Sequence, residues 1–163
     1  MLTSIRFRST ILTSLFLVLL AGCGTDPTTT PDSRTPPVVP SGTTIHGDYT
    51  ETFGSGGGTM GDSDAWFVVP ANALSVSTEL TMQVCPGSET LAIMGPNGQT
   101  FAVACTLSIA KPASYDPQDV YHICLYNEST ETWDDLGGTD NGSYVSLAVT
   151  HFSDYKLKIY FNE

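Results

Sequence analysis

Positive charge is scarce in this 163-residue chain: six lysines and arginines stand against 17 aspartates and glutamates, a formal net charge of −11. That balance excludes nucleic acid as a partner and excludes adhesion to anionic lipid through a basic surface. Long apolar runs are also missing. The longest apolar stretch, Ile11 to Leu20, is too short to span a bilayer. No convincing helical period appears, which argues against a helical domain. There is no P-loop, nucleophile elbow, His-Glu-x-x-His or paired-carboxylate motif, so an enzyme acting on an external substrate is not expected, nor a cofactor, nor a resident metal. Cysteine is sparse, with four residues in all.

What is present begins with an address. Arg6 and Arg8 precede the short apolar run, which ends in Leu20-Ala21-Gly22-Cys23. A positive start, a short apolar stretch and small residues at the cut form a secretory signal peptide over residues 1–22. Leu-Ala-Gly-Cys resembles the lipobox of bacterial lipoproteins. The resemblance implies cleavage before Cys23, lipid attachment at Cys23, and the bilayer as a partner through its acyl chains. Each buried methylene would contribute about 0.8 kcal/mol to that anchor. Gly24, rather than aspartate, follows the cysteine, which in lipoproteins of diderm bacteria implies the outer membrane of the cell envelope. Removing Arg6 and Arg8 would leave four basic residues against the 17 acidic ones.

Residues 23–45 are rich in Thr, Pro, Ser and Asp and have almost no large apolar side chains, so they cannot build a core. They are expected to form a linker that reaches at most about 70 Å when extended.

From His46 to Glu163 the pattern turns to strands. Val145, Leu147 and Val149, then Tyr155, Leu157, Ile159 and Phe161, repeat with period two, which is β-structure with one buried face. The alternation lapses at His151-Phe152-Ser153-Asp154, which predicts a bend or bulge there. Earlier strands are expected at Tyr49–Phe53, Ala65–Val69, Leu80–Val84, Leu91–Met94 and Phe101–Ile109. Tyr121–Tyr126 and Thr132-Trp133 flank a polar turn, and Gly54–Gly58 reads as a flexible loop. In the strand at Phe101, Val103, Cys105, Leu107 and Ile109 are expected to share a core-facing side. About eight short strands with frequent turns predict an all-β fold, an antiparallel β-sandwich.

Four segments resemble the ZU-five domain of ankyrins, netrin receptors and bacterial surface proteins. Val69-Pro-Ala-Asn-Ala-Leu-Ser75 is similar to its "Ile-Pro-x-Gly-Ala-Leu-Ser" entry, and Thr78–Val84 to the following strand. Gly95-Pro-Asn-Gly-Gln-Thr-Phe101 is similar to its "Gly-Pro-x-Gly-x-x-Phe" turn. Trp133 and His151-Phe-Ser153 match its tryptophan and late triplet. Asn72 stands where the motif has glycine, and Ala104 where proline is common. The resemblance implies a sandwich over about Trp66 to Tyr160 and a structural or protein-interaction role, with an envelope or extracellular protein as partner.

It also implies a candidate chemistry. In some relatives the bond before the serine breaks spontaneously. Ser153 Oγ would attack the Phe152 carbonyl with His151 as general base, and the resulting ester would hydrolyse. The alternative is that His151 and Ser153 bridge a β-bend while Phe152 packs.

Once Cys23 is lipidated, Cys85, Cys105 and Cys124 remain. In an oxidising compartment two are expected to pair. Cys105 shares the apolar phase of its strand, whereas Cys85 and Cys124 are out of phase with theirs. Cys85–Cys124 is therefore the expected disulfide, contributing about 4 kcal/mol, with Cys105–Cys124 as rival. A zinc site built on His122 and Cys124 matches no standard ligand spacing. Asp62, Asp64, Asp134, Asp135, Asp140 and Asn141 supply the oxygen chemistry of a calcium site, or simply of turns. Trp66 and Trp133 with neighbouring tyrosines form either a glycan- or peptide-binding face or part of the core.

Overall fold

The computed structural model describes residues 45–161. Eleven strands run through these residues: β1 (Gly47–Phe53), β2 (Gly58–Gly61), β3 (Ala65–Val69), β4 (Thr78–Cys85), β5 (Leu91–Gly95), β6 (Thr100–Ala110), β7 (Val120–Asn127), β8 (Thr132–Asp135), β9 (Thr139–Asp140), β10 (Tyr144–His151) and β11 (Tyr155–Tyr160). They form a six-stranded sheet, order β1-β4-β5-β11-β7-β8, packed on a five-stranded sheet, order β2-β3-β6-β10-β9. All pairings are antiparallel, so the fold is the all-β sandwich that the strand periodicity predicts.

Alternation does most of the building. In β4, Leu80, Met82 and Val84 point inward and are fully buried, while Glu79, Thr81 and Gln83 point out. In β3, Ala65, Phe67 and Val69 do the same from the facing sheet. The centre holds three rings: Phe67 lies 5.7 Å from Phe101 and 4.8 Å from Phe152, and Phe101 lies 5.2 Å from Phe152. Edge and tilted ring contacts of this kind add to the area they bury.

β6 departs from the expected pattern. Val149 stands opposite Cys105 and His151 opposite Thr100, so β6 carries extra residues where β10 carries few. The resulting bulge turns Val103 out of the core to 43% exposure. Cys105 stays inside, as expected. The bulge is tied down by the Ala102 N–H, which donates to the Ala73 carbonyl at 2.9 Å. Ala73 closes a turn in which its N–H bonds the Pro70 carbonyl and Asn72 adopts a φ of 64°. Such a position favours glycine or asparagine.

The tetrapeptide His151–Asp154 is where the chain leaves the five-stranded sheet and enters the six-stranded one. The lapse in alternation thus marks a sheet-to-sheet crossover with a register shift at its start.

Candidate functional site

The crossover is held from several sides. The Phe152 N–H donates to the Gln99 carbonyl at 2.7 Å, and the Gly98 N–H donates to the Phe152 carbonyl at 2.9 Å. Asp154 accepts the buried Met94 N–H at its carboxylate and the Tyr126 N–H at its carbonyl. The hydroxyl of Tyr155, itself 1% exposed, donates to the His151 carbonyl at 2.9 Å. Phe152 is fully buried and Ser153 is 7% exposed.

These contacts place the two candidate self-cleavage residues. His151 Nδ1 approaches the Phe152 oxygen at 3.4 Å, on the carbonyl rather than on the serine hydroxyl. No residue from 151 to 154 has a positive φ, so the bend needs no left-handed residue. An open depression of about 350 Å³ lies alongside, lined by Leu74, Val76, Gln99 and Phe101 among others, without a titratable side chain.

The three described cysteines are free and buried, so the expected Cys85–Cys124 disulfide is corrected. Strand register supplies the reason. Cys85 faces Leu91, Leu91 faces Lys156, and Lys156 faces Cys124, so two strands separate the two thiols. Three steps of about 4.8 Å put their backbones about 14 Å apart, whereas a disulfide spans less than about 7 Å. The rival pairing fails too. Cys105 points inward from the five-stranded sheet, and Cys124 points outward from the six-stranded one, next in line to core-facing Ile123. Burial pushes all three thiols up, Cys105 to about 11.

Cys124 and His122 belong to a polar cluster on the outer face whose other members, Asp135 and Tyr160, sequence reading does not join to them. The Cys124 sulfur lies 4.0 Å from the Tyr160 hydroxyl. Tyr160 in turn bonds Asp135, and Asp135 holds His122 Nδ1 at 2.8 Å. Burial, then the bond to Asp135, raises the Tyr160 hydroxyl well above its usual range. Burial pushes the Asp135 carboxyl up, but hydrogen bonds from His122, Gly137 N–H and Tyr160 outweigh it, and the carboxyl lies low. His122 and Cys124 are two apart in sequence, but Asp135 joins them only through the β7–β8 register, which local sequence does not reveal. Among the described residues no group of three or more potential ligands is placed to hold a metal ion.

The acidic loops are likewise kept apart. Asp62 caps its own turn through the Asp64 and Ala65 N–H groups and accepts the Tyr49 hydroxyl at 2.6 Å. That bond, with burial and the neighbouring carboxylates, raises the Tyr49 hydroxyl to about 12. Asp134 accepts from Asn127, and Asp140 accepts from Lys111. The two tryptophans sit on opposite outer faces. Trp66 meets Tyr144 at 61° and Trp133 meets Tyr126 at 53°, so neither pair makes a flat platform.

The signal peptide, Cys23 and the linker up to Thr44 lie outside the described residues. No protein-family model matches the chain, and no curated protein matches it.

Proposed function

We propose that the chain is a lipid-anchored lipoprotein of a bacterial envelope, at the outer membrane, that displays a ZU-five-like β-sandwich as a non-enzymatic structural or protein-binding module. The observation that carries this reading is the order of its parts. A lipobox closes a short apolar run, a core-less Thr/Pro-rich stretch follows, and β1 begins the sandwich at Gly47. The left-handed Asn72, in the place where the ZU-five entry motif has glycine, supports the finer assignment. The test is expression of the full chain with its own leader in a diderm bacterium fed an alkyne palmitate analogue. Labelled protein in the membrane fraction, released and unlabelled in Cys23→Ser, is the expected result. Unlabelled protein, or a Cys23→Ser variant that stays membrane-bound, would overturn the anchor.

One observation favours a second reading, self-cleavage between Phe152 and Ser153. The Phe152 carbonyl is polarised by the Gly98 N–H, with His151 Nδ1 beside it. Ser153 Oγ would add to the Phe152 carbonyl carbon. The C–N bond would break, with the proton passing to the Ser153 amine, and water would then hydrolyse the ester to a Phe152 carboxylate. Intact mass of the denatured chain decides: two fragments summing to the whole plus one water, absent in Ser153→Ala, would establish cleavage. A single uncut species would remove this reading.

A further inference from the structure

The flank of the sandwich beside β10 is built unevenly. β9 is two residues long and pairs only with Val145 and Ser146. The Asn141 N–H bonds the Tyr144 carbonyl at 2.9 Å, so Tyr144 directs its backbone groups toward the β9 edge. Backbone groups alternate along a strand. Ser146 and Ala148 therefore face the same edge, while Val145, Leu147 and Val149 face β6, up to the register shift between Val149 and His151. Past the end of β9, the N–H and C=O of Ala148 lie on an edge that no described strand pairs.

The facing sheet ends in a longer edge strand, β8, which precedes β9 in the chain. β8 pairs with β7 as far as Asn127, placing Asp134 opposite Leu125 and Thr132 opposite Asn127. The floor is apolar and incompletely covered. Leu125 and Leu147 face inward and pack on the core but are only half-buried, whereas Ile123, Val145 and Val149 beside them are buried. Asp134 shares the inward face of Leu125 and remains exposed at the rim. Glu128 and Glu131 lie in the turn leading into β8, so the rim is acidic.

We propose that this notch accepts an extended segment of a partner protein as an added strand on β10, with apolar side chains turned inward onto Leu125 and Leu147 and lysine or arginine meeting Asp134. Main-chain hydrogen bonds to Ala148 supply affinity, and the inward pocket and acidic rim select alternating apolar and basic residues. The proposal rests on the reading of the domain as an interaction module and not on its lipid anchor.

The probe is a blocked lysine–valine alternating hexapeptide, fluorescently labelled, titrated into the full chain, with a glutamate–valine hexapeptide as control. Amide exchange is followed by NMR. The expected result is binding of the basic peptide alone, with slowed exchange at the Ala148 amide. Ala148→Pro removes one edge donor at a position where an edge tolerates proline and should abolish binding. Should that variant misfold, Asp134→Asn, at an exposed site, serves instead and should weaken binding about threefold. No binding, or an Ala148 amide already protected in the free chain by a second copy or by the chain's own N-terminal segment, would overturn the proposal. Binding that leaves this amide unprotected would overturn the edge site while leaving an interaction module in place.

Discussion

Phe152 shows what the His-Phe-Ser triplet does in the folded domain. Its ring closes a three-phenylalanine cluster at the centre of the sandwich, and its backbone ties two loops together. Truncation to alanine removes a fully buried ring whose surroundings belong to both sheets, so the site collapses poorly. Phe152→Ala is expected to cost about 3–5 kcal/mol in urea unfolding, and Ser153→Ala less than about 1 kcal/mol. A Phe152→Ala loss below about 1 kcal/mol would undo this account. The sequence showed that something happens at these residues, because alternation stopped there. It did not show that the chain changes sheets, because that depends on which strands lie on either side. Cysteine was the opposite case. Phase along β4 and β7 correctly put Cys85 and Cys124 off the apolar face, and Cys105 on it. The inference to a disulfide failed because two thiols on one face are still separated by whatever strands the topology inserts between them.

At the scale of elements, long strands with clean alternation were legible and short ones were not. β2 and β9 are built from Gly-Thr-Met-Gly and Thr-Asp, sequences with little strand character, and they exist because β3 and β10 offer them edges. The bulge in β6 was hidden because Phe101, Val103 and Cys105 alternate perfectly in sequence. β9 is also held by a side chain: Lys111, just past β6, donates to Asp140 at 2.7 Å with its own side chain only 2% exposed. The ammonium also stands 5.0 Å from the rings of Tyr115 and Tyr121. That hydrogen bond, opposed by burial, holds the Asp140 carboxyl below its usual range. A depressed carboxyl stabilises the fold above its unfolded value near 3.9 and ceases to do so as pH falls through the folded one. Asp140→Asn should therefore cost about 1 kcal/mol at neutral pH, the half-exposed carboxylate being screened by solvent. The difference from wild type should close as pH falls below about 4. A difference that persists in acid would show that the amide perturbs the β9 turn itself.

For the molecule as a whole, charge works against compaction. Between residues 45 and 161 there are 14 carboxylates and three lysines. Lys111 is committed to Asp140 and Lys156 to Glu89, while Lys158 lies over the Tyr160 ring. Most acidic side chains therefore have no cation beside them, and their mutual repulsion is relieved when the chain unfolds and spreads them apart. Salt acts on both terms. Raising ionic strength from about 0.02 M to about 0.2 M shortens the screening length from about 20 Å to about 7 Å. The few exposed ion pairs weaken by tenths of a kcal/mol, while the more numerous long-range repulsions across the sandwich are screened. The repulsive term should win, and the melting temperature should rise by several degrees, equivalent to about 1 kcal/mol for a domain of this size. Sodium chloride rather than sulfate is the salt to use, because sulfate also strengthens apolar burial. A melting temperature that falls with added sodium chloride would mean that the His122–Asp135, Lys111–Asp140 and Lys156–Glu89 pairs outweigh the net charge. In that case the acidic excess would be a solvated exterior with little effect on folding.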